Sequence, residues 1–170
     1  MDLKTFELLA HYNIWATQRL KDVLADVSDQ DFFTDSGLYF KSIFATLNHL
    51  LVGEHYLWFP RFATGTSARL TLNTIIEQDR HILTSTLLEK SHHWLGFLND
   101  LDEQRLAQNL HYQTSSGQDM VLPYAATLLH VFNHGTHHRG QITAALTAMG
   151  YPCPELDLVY MLIEEKNNKD

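Results

Sequence analysis

The apolar residues of this chain recur at intervals of three and four, and that spacing commits most of it to amphipathic helices. Leu9, Tyr12, Ala16, Leu20, Val23, Leu24 and Val27 make one stripe, which predicts a first helix over about residues 3–26. Ser28-Asp29-Gln30-Asp31 then reads as a break and cap. A second helix is expected from about Ser42 to Phe59, ended by Pro60, which lacks an N–H and clashes with the preceding turn. Ala63 to Ala68, with Gly65 and several hydroxyls, reads as a loop. Ile75, Ile76, Ile82, Leu83, Leu87, Trp94 and Leu98 predict a third helix over about residues 73–100.

Between Leu106 and Leu122 the period changes to two. Leu110, Tyr112 and Thr114 are followed by Ser115-Ser116-Gly117 and then by Met120 and Leu122, the pattern of a short β-hairpin. Pro123 suits the first position of a fourth helix that reaches Met149, with Gly150 as its left-handed cap. Pro152 and Pro154 stiffen the link to a final helix over about residues 155–165, and the tail from Lys166 to Asp170 is expected to fray. The fold class is therefore all-α: a four-helix bundle with a short β-hairpin between helices three and four and a short C-terminal helix, forming a single domain over residues 1–170.

Composition narrows the function classes. With 170 residues, 45% of them hydrophobic, the chain can build a core without disulfides or a folding metal. Twelve Lys and Arg against 20 Asp and Glu give a formal charge of −8, which repels phosphate backbones, so no nucleic-acid partner is expected. No run of about 18 apolar residues offers a membrane span, and the charged start Met1-Asp2-Leu3-Lys4-Thr5-Phe6-Glu7 lacks the apolar stretch of a signal peptide. One cysteine, Cys153, allows no internal disulfide, so the expected home is cytoplasmic, and the acidic charge makes a small-molecule substrate the expected partner.

Histidine is the unusual residue, with 11 copies beside those 12 Lys and Arg. Helix four carries His130-Val131-Phe132-Asn133-His134-Gly135-Thr136-His137-His138-Arg139-Gly140-Gln141. At about 100° per residue, His130, His134 and His138 share an arc of about 80°, and His137 points about 100° from His138. Residues four apart have Cβ atoms about 6 Å apart. His134 and His138 can thus converge on one cation with metal–nitrogen bonds of about 2.0–2.1 Å. Tyr124, Leu128, Val131, Ile142, Leu146 and Met149 centre to one side of His134, which puts the imidazoles at the edge of the core face. The plainer reading of any one of them is a half-buried polar residue bonded to backbone or water.

Spacing argues against two other centres. The zinc-protease helix needs Glu directly after its first His, and Gly135 stands there, so no general base is built in. A di-iron bundle needs two Glu-x-x-His motifs and two further Glu, whereas the chain has Glu89-x-x-His92 alone. A third ligand must come from another helix, and helix two offers His49 and His55. On a wheel set by Leu47, His49 lies at about 200° and reads as outward-facing. Its side nevertheless carries Ala45, Val52, Gly53 and Tyr56, so this helix is apolar almost all round and reads as central. Gly53, one turn beyond His49, leaves room for a neighbouring helix or a ligand.

Several segments together resemble the DinB family of bacterial metal-binding helical bundles. They are Tyr12-Asn13-x-Trp15-Ala16-x-x-Arg19-Leu20, Ser42-Ile43 with Thr46-Leu47-x-His49-Leu50 and Trp58, the helix-four segment from His130 to Gln141 (the most specific of them), and Pro154-x-Leu156-Asp157-Leu158. The resemblance spans nearly the whole chain. It implies a four-helix bundle that holds one divalent transition metal, zinc or nickel being expected, on three histidines. Matched residue by residue, these are His49, His134 and His138. His130 is an ambiguous neighbour, either a group behind the ligands or an alternative ligand. His137 is expected to cap, pack or face another helix, and His55, His92 and His93 to lie at the surface or rim. Asn133, Gln141 and Glu54 could orient ligands, but each is more ordinarily a surface or helix-packing residue. Arg139 could hold an anionic substrate, a surface ion pair being its plainer role.

Three neutral histidines leave a tetrahedral cation one open position, the arrangement of a catalytic site. Such a cation can bring the pKa of bound water from about 15.7 to about 7, or hold a thiol, ordinarily near pKa 8.5 or so, as thiolate. The resemblance favours the second, since characterised relatives include thiol S-transferases and a thiol-dependent isomerase that use low-molecular-weight thiols. The expected function is a metal-dependent transferase that activates a small thiol cosubstrate for attack on an electrophile, with no residue assigned as base. One alternative is a metal-binding, DNA-damage-inducible stress protein without turnover. Another is a metal-dependent hydrolase, weakened by the missing Glu after His134. Apolar residues exceed what a one-sided bundle needs, and the resemblance agrees with a homodimer.

Overall fold

The computed structural model describes residues 1–168. Helix α1 (Leu3–Leu24) starts where the Asp2 carboxylate accepts the Thr5 N–H, and the Ser28 hydroxyl caps a short α2 (Asp29–Phe33). The second long helix is not uniformly α. It runs as α3 (Ile43–Leu50), a π-helical segment (Leu51–Trp58) and α4 (Phe59–Thr64), closed by Gly65 at φ 73°. Pro60 therefore does not end it, contrary to the expectation from sequence. Pro60 falls in the first turn of α4, directly after the wide π turns, where a missing N–H costs least.

Helix α5 (Arg80–Asn99) begins at Arg80, not near Asn73. The Asp79 carboxylate caps it through the His81 and Ile82 N–H groups, and the residues before it are stitched to α3 instead. Asn48 Oδ1 accepts the N–H of Ile76 at 2.8 Å and of Glu77 at 3.0 Å, and its Nδ2 donates to the Glu77 carbonyl at 3.1 Å. Ile76 reaches the core from this loop, so helical spacing appears there without a helix.

A 3₁₀ turn (Glu103–Ala107) leads into the hairpin of β1 (Asn109–Gln113) and β2 (Asp119–Pro123), an antiparallel pair with Leu110 opposite Leu122 and Tyr112 opposite Met120. Pro123 ends β2 and precedes α6 (Tyr124–Ala148) rather than lying inside its first turn. At the other end, Gly150 at φ 82° donates to the Thr147 carbonyl and Tyr151 to that of Leu146, the expected left-handed cap. Helix α7 (Leu158–Asn167) starts later than Glu155 and continues beyond Glu165, so Lys166 and Asn167 are helical. The last two residues of the tail expected to fray, Lys169 and Asp170, lie outside the described residues.

The expected architecture holds: an all-α bundle with a hairpin between its third and fourth long helices and a short C-terminal helix. Helices α1 and α3 each pack against both α5 and α6. Leu20, Leu47, Leu50, Leu83, Ile142 and Leu146 fill one end, and Phe6, Phe62, Trp94, Tyr124, Leu128 and Phe132 the other, under the hairpin. Helix α7 lies outside, tied to α1. Tyr12 Oη donates to the Leu156 carbonyl at 2.6 Å, while Trp15 Nε1 at 2.7 Å and Arg19 Nη1 at 2.6 Å both reach Glu164. The polar and aromatic motif of α1 is thus the strip on which the C-terminal segment docks. No helix among the described residues is long and apolar enough to cross a membrane.

Candidate metal centre

His49 leaves the last turn of α3, and His134 and His138 leave one face of α6. The two helices pack closely here because one of them carries glycine: a Cβ at Gly53 would stand 3.3 Å from His134 Cε1. Three ring nitrogens meet in that gap. His134 Nε2 lies 3.0 Å from His49 Nε2 and 3.1 Å from His138 Nε2, and the three rings each offer a nitrogen within 4.8 Å of the others.

The backs of two rings are fixed. His49 Nδ1 donates to the Leu72 carbonyl at 2.8 Å, and His138 Nδ1 to Gln141 Oε1 at 2.7 Å. These acceptors place the ring protons on Nδ1 and leave bare lone pairs on both Nε2 atoms. His134 Nε2 carries at most one proton and can satisfy one of its two neighbours. The other close contact is then left with no proton between its two nitrogens, which a cation at the centre resolves. Bonds of about 2.0–2.1 Å in tetrahedral directions would set the nitrogens about 3.3 Å apart, a few tenths from the distances present. The donor set therefore fits a divalent cation that takes nitrogen ligands, and the histidine cluster could hold one.

Electrostatics points the same way. Burial, reinforced by the neighbouring His138 and His49 rings, pushes His134 down to about 3. Burial takes His138 down to about 4 against the opposing bond from Gln141, and lowers His49 against the Leu72 carbonyl. All three rings are neutral at neutral pH, the form that binds metal.

A scan of known families finds the DinB family over residues 1–168. The chain belongs to the DinB family. It is similar to Protein DinB of Bacillus subtilis (strain 168), with 28% identity over 167 residues that cover 95% of each chain. No solved structure matches it.

Within this DinB-family chain the other histidines divide differently from expectation. His130 stays outside the cluster, exposed, edge-on to Trp58 and with its ring centroid 5.6 Å from that of His134. His137 is exposed and accepts from Gln141 Nε2 at 3.2 Å, so it helps to aim the amide that orients His138. His92 and His93 are exposed, as expected. His55 is not at the rim: it is buried in the π segment, where burial, with Lys90 and His93 nearby, takes it down to about 3.

Glu54 and Arg139 also turn inward. Both are 2% exposed, so Arg139 is neither a surface ion pair nor an open anion-binding group. Asn13 links them: its Nδ2 donates to Glu54 Oε2 at 3.1 Å and its Oδ1 accepts from Arg139 Nη1. Burial raises the Glu54 carboxyl, and the Arg139 charge and the Asn13 bond oppose that rise. Asn133, by contrast, is exposed. Two further residues at the centre went unmarked in the sequence: Leu72, which acts through its backbone carbonyl, and Phe40, whose ring stacks on His49, while Asn13 was marked only as part of a motif and with no role. The first two sit on loops, where apolar periodicity leaves no signal.

Proposed function

We propose that this protein is a divalent-metal-dependent transferase that activates a low-molecular-weight thiol for attack on an electrophilic carbon, with His49, His134 and His138 holding zinc or nickel. The observation that carries the reading is the charge of the donor set: three neutral imidazoles and no carboxylate. A divalent cation on such ligands keeps its full charge and an open position, and so supplies the acidification of a bound thiol. The chain's residues do the rest. Leu72 and Gln141 hold two imidazoles in the ligating tautomer, and burial keeps all three unprotonated. The thiol loses its proton to solvent water, its sulfur lone pair forms the new carbon–sulfur bond, and the leaving group departs with its bonding electrons. A hydrolase reading lacks the base of a zinc-protease helix, because Gly135 stands where its glutamate would be. The lone exposed Cys153 suits a reducing, cytoplasmic home.

The test pairs metal analysis with thiol consumption. Protein purified without added metal should carry one equivalent, lost in His49→Ala, His134→Ala and His138→Ala. Metal-loaded protein should speed the alkylation of at least one of a panel of small thiols, and a chelator should abolish that rate. Undiminished metal in the alanine variants would sink the site. Full occupancy with no rate above background for any thiol would leave a metal-binding protein without turnover.

A further inference from the structure

Among the described residues, one non-glycine residue has a positive φ: Lys41, at 77°. The Ser42 N–H donates across it to the Phe40 carbonyl at 3.0 Å, closing a γ-turn of the rare positive-φ form. The Lys41 N–H is bonded to the Leu38 carbonyl, and its own carbonyl accepts from Ser36, each at 2.8 Å. A side-chain-bearing residue keeps such a conformation only where its surroundings over-determine it. What this turn achieves is the placement of Phe40. Its ring stacks on His49 with centroids 3.8 Å apart and planes 18° apart, and its centroid lies 5.7 Å from that of His138.

A cavity of about 400 Å³ opens beside this turn, lined by Tyr39, Phe40, Lys41, Ala45, Leu72 and Asn73. Two of those residues also touch the metal centre: Phe40 through its ring and Leu72 through the carbonyl that orients His49. Tyr39 is 80% exposed and Leu72 55%, so two large apolar side chains stand in solvent at this one place. Lys41 is the single charged lining residue, its ammonium 3.9 Å from Asp35, and Tyr39, Phe40, Ala45 and Leu72 make most of the lining apolar. The volume lies in the range of small-molecule sites and suits a fused or substituted aromatic ring.

We propose that this cavity binds the apolar, aromatic body of a small molecule whose reacting atom lies at the three-histidine centre, with Phe40 as the wall shared by both. The identity of that molecule as the electrophile rests on the thiol-transfer reading, whereas its binding does not. The experiment titrates the zinc-loaded full chain with N-phenyl-1-naphthylamine, an uncharged aromatic fluorophore, and reads the affinity from its emission. One saturable site is expected. Tyr39→Ala and Leu72→Ala, at exposed positions, should each weaken it about ten-fold, while Leu162→Ala, an exposed apolar control on α7, should change it less than about two-fold. A parallel assay compares 1-chloro-2,4-dinitrobenzene with iodoacetamide as acceptors for cysteine. The preference for the aromatic acceptor should fall about ten-fold in the same two variants. Absence of saturable binding, or equal affinity in all four proteins, overturns the cavity whatever the transfer assay gives. Binding that weakens as expected without metal-dependent transfer from cysteine or from any other thiol of the panel upholds the cavity and overturns the thiol-transfer reading.

Discussion

Gly135 separates two chemistries within one helical turn. Beside it, His134 and His138 face the three-histidine cluster, and its bare Cα lies against the buried Asn13, Glu54 and Arg139. A Cβ there would meet Glu54 Oε1 at 2.5 Å, Arg139 Nη1 at 3.0 Å and Asn13 Oδ1 at 3.1 Å. Gly135→Ala should therefore destabilise the fold by about 1–3 kcal/mol, because buried polar groups must move from their partners. Gly140 lies on the same helix with nothing within 4 Å of its would-be Cβ. Gly140→Ala should stabilise by about 0.5–1 kcal/mol through helix propensity. Urea denaturation of the two variants checks the pair, and equal midpoints would count against this account of Gly135. The sequence alone showed that glycine removed the base of a zinc-protease motif, but not what needed the space. His134 and His138 were legible from their spacing. His49 was not, since its wheel position pointed outward and family resemblance had to supply it. Glu54 and Arg139 looked like surface charges because nothing local reveals that Asn13 lies between them.

At the level of elements, the parts missed are those in which hydrophobic period and backbone state part company. The π segment is the clearest. Its five-residue rings turn each side chain by less than the 100° of an α-helix, so a wheel drawn through Leu51–Trp58 drifts, and Glu54 and His55 both come inward. The loop before α5 is the other case. Ile75 and Ile76 carry helical spacing, yet Ile75 is 41% exposed and the segment is held by Asn48, a fully buried amide that bonds Ile76 and Glu77. The next residue after Asn48 is His49, which bonds Leu72 of the same loop, so two consecutive α3 side chains fasten the loop over the centre. Asn48→Ala should cost about 1–3 kcal/mol by leaving the Ile76 and Glu77 N–H groups without their acceptor. It should also release the loop: amide exchange at Ile76 and Glu77 should accelerate strongly while α6 stays protected. Retained protection at those two amides would show that the loop is held by something else.

Across the whole molecule, the buried imidazoles make stability depend on pH with a definite sign. His55 and His134 sit at about 3 and His138 at about 4, all below the unfolded value of 6.5. Between those limits the unfolded chain binds protons that the folded chain excludes, so stability is fully present above about pH 6.5 and is lost as the pH falls toward 3–4. Each such histidine contributes a slope of at most about 1.4 kcal/mol per pH unit, reached most closely by the deeply buried His55 and discounted for the partly exposed His134. Glu54 opposes them. Its folded value is raised above 4.5, so below that raised value it favours the folded state, as one group against these three and the likewise lowered His49 and His130. Metal held as proposed would add a second dependence with the same sign. It would bind neutral imidazole, so the stabilisation it gave by mass action would shrink as protons competed for His49, His134 and His138. The expected result is a urea midpoint for the metal-free protein that falls steadily from pH 7 to pH 5. A zinc-induced rise in the midpoint should also be larger at pH 7 than at pH 5. A flat metal-free profile would mean that these rings are protonated in the folded protein. A zinc effect of equal size at both pH values would mean that zinc binds elsewhere than on the three imidazoles.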